Sequence, residues 1–273
     1  MKPAPGGGMK ARTLLAAVTA AASFFATLAV SSEADATTYS VYLHGRNTDG
    51  TPSGWGYWGG TRPGINPVVI NYDGRAHIST ANPTVRAGLN TYCSGDNYCY
   101  VAAHSAGCAH LQYAIDKYGP YNIIWADGAG CASGGTELSD DWSWTQGDDL
   151  AADLKTGTVR SMYNHNNMRG VWFYLFGGAK GGAAAMLITG QDDGAVGYAS
   201  SLGRSKTGDF CNPGDSWWLD RCDEVGMGTS TGDRYSYHYV YYRDSSENKD
   251  HYVGSGSGGI PSPMFSDMGA YAD

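Results

Sequence analysis

The sequence predicts an α/β fold: a mostly parallel, doubly wound sheet with helices on both faces. Three observations predict it. Short β-branched or aromatic runs alternate with stretches of helical spacing, the order that a parallel sheet with crossover helices requires. Gly, Pro and Asp-Gly punctuate the boundaries between them. No linker divides residues 37–273, and sheets of this kind reach that length as one domain.

The elements follow in order. Tyr39–Leu43 is a short β run ending in His44-Gly45, and Val68-Val69-Ile70 is a second, lying between Pro67 and Asp73-Gly74. Thr84–Tyr92 reads as a helix because Pro83 suits a helix start, and Tyr98–Ala102 reads as the next strand. Ala106–Tyr118 is a helix, with Leu111, Ala114 and Ile115 at helical spacing and Gly119-Pro120 as its stop. Asn122–Ala126 is a strand, followed by a Gly/Ser-rich loop, a polar stretch bearing Trp and a helix near Asp148–Lys155. Val171–Leu175, Ala184–Ile188 and Tyr237–Tyr242 complete the strands.

Composition narrows the function classes. The chain has 273 residues at 42% hydrophobic, enough for a sizeable core, and its 20 Tyr and 8 Trp exclude a disordered chain. With 26 Asp+Glu against 18 Lys+Arg it lacks the basic surplus that phosphate backbones require, so a nucleic-acid partner is not expected.

The N-terminus reads as an address. Lys2, Lys10 and Arg12 form a positive head, Thr13–Val30 is an uncharged apolar run, and Ala34-Asp35-Ala36 has the small-x-small form of a signal-peptidase site. The expectation is a signal peptide over residues 1–36, cleaved after Ala36, and a secreted mature chain with no stable membrane anchor. Export makes the 6 cysteines legible as disulfides. They are Cys93, Cys99, Cys108, Cys131, Cys211 and Cys222, with no C-x-x-C pair to suggest a zinc site. Sequence alone does not choose the pairing. Short loops favour Cys93–Cys99 and Cys211–Cys222, which leaves Cys108 with Cys131, either bonded or as two buried thiols.

Chemistry concentrates where strands end. Ala103-His104-Ser105-Ala106-Gly107 lies between a strand and a helix, the setting of a nucleophile elbow. Its small residues leave room for a sharp turn, and the helix N-terminus below the hydroxyl supplies N–H groups for an oxyanion. The plainer role for Ser105 is a helix N-cap. A serine nucleophile needs a base, and the base needs an orienting acid. Asp192 and Asp193 follow the run Ala184–Ile188, and His251 follows the last strand and a polar loop. The chain order is therefore Ser, Asp, His.

On these motifs the chain resembles the α/β-hydrolase superfamily, in particular small secreted bacterial lipases and esterases. The Ala-His-Ser-x-Gly form is shared with some extracellular polyhydroxyalkanoate depolymerases. The resemblance implies Ser105 as nucleophile, Asp193 as acid and His251 as base, with Asp192 the close competitor and Asp127 a distant third. It implies oxyanion amides at Ala106 and at Arg46, the residue after His44-Gly45. It also implies a carboxylic ester substrate, lipid or apolar polymer among the candidates, and no cofactor or metal. A peptidase, a carbohydrate deacetylase or a noncatalytic binding protein on the same fold would use the same elements. His44, His104 and His238 read as structural, and His77, His110 and His165 as surface or core residues.

Three aromatic groups are candidates to line a substrate face: Trp55-Gly56-Tyr57-Trp58, Trp142-Ser143-Trp144 and Trp217-Trp218. Asp140-Asp141 and Asp148-Asp149 lack the alternating ligands of a calcium loop and read as a solvated acidic face.

Overall fold

The computed structural model describes residues 36–46, 65–178, 180–181, 187–188, 192–203, 235–242, 249–252 and 259–270, all within the compact unit Asp35–Asp273. Six strands are described: β1 Thr38–Leu43, β2 Asn66–Val69, β3 Tyr98–His104, β4 Ile123–Ala129, β5 Phe173–Phe176 and β6 His238–Tyr242. They form one sheet in the order β2-β1-β3-β4-β5-β6, and every neighbouring pair is parallel. Leu43 pairs with Ala103, His104 with Ala129, and Ala129 with Phe176. The carboxyl ends of β1, β3, β4 and β5 are therefore flush along one edge.

Both faces of the sheet are covered, and the strand sequences show why. Val41, Leu43, Val101 and Ala103 join the larger core cluster, while their alternate neighbours Tyr42 and Ala102 join a second one with Phe176, Met264 and Met268. Successive side chains leave a strand on opposite faces, so an uninterrupted apolar run feeds both layers. Helix α1 (Ile78–Tyr92) and α2 (Ala106–Tyr118) belong to the first layer, and a C-terminal helix, Pro261–Ala270, brings the two methionines to the second. Ile78, Val85 and Leu89 of α1 are fully buried, each stabilising the fold by about 1.5–3 kcal/mol.

The structure corrects several sequence expectations. Helix α1 starts at Ile78, not after Pro83, which lies inside it. Proline there forfeits one backbone bond, but the buried stripe continues through it and Asp153 Oδ2 accepts the Ile78 N–H at 2.7 Å. The expected strand Ala184–Ile188 is not formed at 187–188, which are a turn and a bend, and 184–186 fall outside the described residues. The polar stretch before Asp148 contains a helix, α3 (Glu137–Gln146), capped by the Thr136 hydroxyl. Around Asp148–Lys155 there are two short helices, α4 (Asp149–Asp153) and α5 (Thr156–Met162). Tyr198–Ser201 forms α6 and Pro261–Ala270 is α7, neither of them anticipated.

Cys93 is bonded to Cys99 and Cys108 to Cys131, with Cα separations of 5.1 and 5.4 Å. Cys211 and Cys222 lie outside the described residues, as do residues 1–35 and the groups at 55–58 and 217–218. Among the described residues, no helix is long and apolar enough to cross a membrane.

Candidate active site

Ser105 is the hinge between β3 and α2. It is one of the few non-glycine residues with positive φ, at φ 57° and ψ −128°. Such a conformation costs about 1–3 kcal/mol and persists only where the surroundings over-determine it. Here they do. The Ser105 N–H donates to the Ala129 carbonyl at 3.0 Å, and the Ser105 carbonyl accepts from Cys108 N at 3.2 Å and Ala132 N at 3.0 Å. Its side chain makes no capping bond to the helix, so the N-cap role weighed from sequence is not the one it plays.

Two glycines make the approach of neighbouring segments to Ser105 sterically feasible. A Cβ on Gly107 would stand 2.4 Å from the Leu43 carbonyl oxygen and 2.6 Å from that of His44, both rigid backbone atoms. One on Gly45 would stand 2.5 Å from the Ser105 Cβ. The turn after β1, with the Arg46 amide, therefore lies directly against the serine and the first turn of α2, which carries the Ala106 amide; these are the two expected oxyanion donors. Arg46 ends that turn with its guanidinium drawn away to Asp148, Nε to Oδ2 at 2.6 Å and Nη2 to Oδ2 at 2.5 Å. Tyr72 donates its hydroxyl to the His44 carbonyl and stacks on the His44 ring, centroids 4.2 Å apart.

The expected base and acid meet the serine. His251 Nε2 lies 2.9 Å from Ser105 Oγ, and His251 Nδ1 lies 2.7 Å from Asp193 Oδ2. A carboxylate only accepts, so Nδ1 carries the proton and Nε2 is left to accept the serine O–H. Asp193 is fully buried and fixed on its other oxygen, Oδ1, which accepts the N–H groups of Ala195 at 3.0 Å and Val196 at 2.8 Å. Asp192 faces elsewhere: its Oδ1 accepts the Gly194 N–H at 2.7 Å, the turn role open to it from sequence. Asp127 is buried within β4, in register with Ala102 and Tyr174.

Asp193 belongs to a loop beyond β5, anchored by an isolated Asp192–Gly197 bridge, and not to the end of a strand at 184–188. Thr136 holds this loop from α3, its hydroxyl donating to the Ala195 carbonyl at 2.6 Å. Gly130, at φ 52°, lets the turn after β4 pass beneath the pair, since a Cβ there would stand 2.8 Å from Asp193 Oδ2 and 2.9 Å from His251 Nδ1. Neither residue was singled out in the sequence, because their partners lie far along the chain.

Most of the other histidines are buried. His110 is completely buried beside Tyr72, and burial pushes its pKa from 6.5 down to about 3. His165 stacks between Tyr163 and Tyr235, and burial lowers it to about 4. His104, also buried, is held well below its ordinary value by desolvation and by the adjacent His251. His238 stacks on Phe173, and half-exposed His77 lies 3.0 Å from Asp153. The acidic pairs serve local structure: Asp140 accepts from Thr156 N at 3.0 Å and Thr156 Oγ1 at 2.6 Å, and Asp148 caps α4. Among the described residues no group of three or more His, Cys, Asp or Glu is arranged to hold a metal ion.

A parallel sheet in this strand order, with a positive-φ serine between strand and helix, can be compared with known proteins. EstA from Clostridium botulinum superimposes over 86% of this chain and 87% of its own, with a TM-score of 0.56 at 12% identity. The chain has the α/β-hydrolase fold. A Bacillus licheniformis lipase in propeptide form is similar over 76% of this chain and 53% of its own, at 18% identity and a TM-score of 0.49. A metagenomic carboxyl esterase is similar over 62% of this chain and 60% of its own, at 13% identity and a TM-score of 0.47. This hydrolase-fold chain thus spans only about half to three-fifths of the length of those two proteins. No protein-family model matches it, and no curated protein is similar to it in sequence.

Proposed function

We propose that the protein is a serine hydrolase of carboxylic esters, exported through a signal peptide over residues 1–36 and active as the chain 37–273. The observation that carries this reading is the relay Asp193–His251–Ser105, bonded at 2.7 and 2.9 Å and ending on a serine held at φ 57°. Export rests on the positive head, apolar run and Ala-Asp-Ala site, and two disulfides suit an oxidising compartment.

Ser105 Oγ attacks the ester carbonyl carbon as its proton passes to His251 Nε2. Asp193 Oδ2 accepts the Nδ1–H and stabilises the imidazolium. The carbonyl oxygen becomes an oxyanion, met by the backbone N–H groups of Ala106 and Arg46. Collapse of the tetrahedral species expels the alcohol, which takes the proton from Nε2 and leaves Ser105 acylated. Water then gives its proton to His251 and attacks the acyl carbon, releasing the acid and restoring the serine. No metal or cofactor takes part in these steps.

The substrate class is a carboxylic ester, of a lipid, a polyester or another acyl group. A panel of p-nitrophenyl esters of increasing chain length, with polyhydroxybutyrate and acetylated xylan, tests it. Turnover of the esters that disappears in Ser105→Ala is the expected result. Absence of ester turnover by the folded protein would overturn the reading.

A further inference from the structure

His104 immediately precedes the serine, yet its side chain reaches a residue 147 positions away. It is 4% exposed, and its Nε2 lies 2.8 Å from the backbone carbonyl oxygen of His251. A carbonyl only accepts, so His104 Nε2 carries a proton and donates it. The two imidazole rings also pack together, centroids 4.7 Å apart and planes 37° from parallel.

This bond completes the restraint of His251. The His251 N–H donates to the Asp193 carbonyl at 2.9 Å, its carbonyl accepts from His104, and its two ring nitrogens meet Asp193 and Ser105. Every polar group of the base is therefore fixed by residues 104, 105 and 193. His251 stands on a loop beyond β6, and these contacts hold its ring against Ser105 and Asp193, where a misplacement of about 1 Å would cost about 10²-fold in rate.

Charge matters as well as position. During the reaction His251 becomes an imidazolium, and a second cation at ring contact would oppose its formation. Among the described residues, the titratable groups facing His104 are His251 and His44, and burial holds its pKa well below the ordinary value.

We propose that His104 is a positioning residue for His251, donating through Nε2–H to the base's own carbonyl while its ring packs against the imidazole. The proposal rests on the ester-hydrolase reading for its effect on turnover, but the hydrogen bond itself can be observed without turnover.

The experiment compares wild type, His104→Phe and His104→Gln. Phe fills the space without a donor, and Gln restores an N–H at nearly the same reach. Loss of about 10²-fold in kcat with little change in KM is expected for His104→Phe, the scale of a small misplacement of a reacting group. His104→Gln should recover most of it. Wild-type kcat in a folded His104→Phe variant would overturn the proposal, as would an equal loss in both variants.

Nitrogen-15 NMR of the wild-type histidines decides independently of folding in the variants and of activity. His104 should show a protonated Nε2 and an unprotonated Nδ1 throughout pH 7 to 9. The opposite tautomer, or a charged His104 in that range, would overturn the proposal. A wild type with that tautomer but no ester turnover would instead remove the ester-hydrolase reading and leave the hydrogen bond standing.

Discussion

The serine corner and the acid–base corner of the site are built by different means. Ser105 is set by its own neighbourhood: β3 before it, α2 after it, and two glycines that let β1 close against them. Asp193 and His251 lie 88 and 146 residues further on, in loops beyond β5 and β6, and are placed by hydrogen bonds from Thr136, His104 and each other. The first corner is a backbone conformation, and the second is a set of side-chain contacts. Mutations should accordingly damage the first through stability and the second through catalysis.

The largest expected effect falls on the second corner. Asp193→Asn keeps the shape but cannot hold the Nδ1–H tautomer, and should lower kcat by about 10⁴-fold. Asp192→Asn retains an oxygen for the Gly194 N–H, and its carboxyl is turned away from His251, so turnover should stay near wild type. Steady-state kinetics of the pair measures the contrast. Equal losses would mean that the acid role is shared.

How legible this was follows from the same contrast. The elbow could be read because its residues are contiguous: a strand, small residues, a serine and an amphipathic helix. The acid was read as Asp193, with Asp192 the close competitor and Asp127 third, because adjacent buried carboxylates differ only in which way each turns. His104 was read as structural. Its partner lies at the other end of the chain, and nothing local marks it. Helix α3 and residues 78–83 of α1 were missed because a threonine cap and a buried stripe, not propensity, define them.

The Cys108–Cys131 bond sharpens the first corner. It joins the first turn of α2 to the loop after β4, and that loop supplies Ala132 N to the Ser105 carbonyl. Replacing both cysteines by alanine should cost about 3 kcal/mol in the chain-entropy view. Thermal unfolding should show a lower Tm, with turnover falling because the loop that holds the serine is freed. An unchanged Tm would remove the bond from this account.

Acid should loosen the whole molecule through its buried histidines. His110 and His165 have folded pKa values of about 3 and about 4, against 6.5 when unfolded. Below 6.5 the unfolded chain binds protons that the folded chain refuses. Their contribution is full above pH 6.5 and is lost as pH falls toward 4, at up to about 1.4 kcal/mol per pH unit for each histidine. Urea unfolding across pH 4–7 should show stability rising with pH. A flat profile would contradict the neutral burial of these rings.

Arg46 should matter least. Its pair with Asp148 is partly exposed, 35% at the arginine side chain, and pairs of that kind contribute about 0–1 kcal/mol. The amide proposed to meet the oxyanion belongs to its backbone, so Arg46→Ala should alter kcat only a few-fold by the same estimate. A far larger loss would assign the guanidinium itself a place in catalysis.

The central claim is that Ser105 is a nucleophile made reactive by His251. Treating the folded protein with a fluorophosphonate and weighing it intact, then mapping the adduct by peptide mass, tests that directly. The account predicts one adduct, on Ser105, absent in Ser105→Ala and formed far more slowly in His251→Ala. Labelling that persists in Ser105→Ala, or a wild type that is not labelled at all, would contradict it.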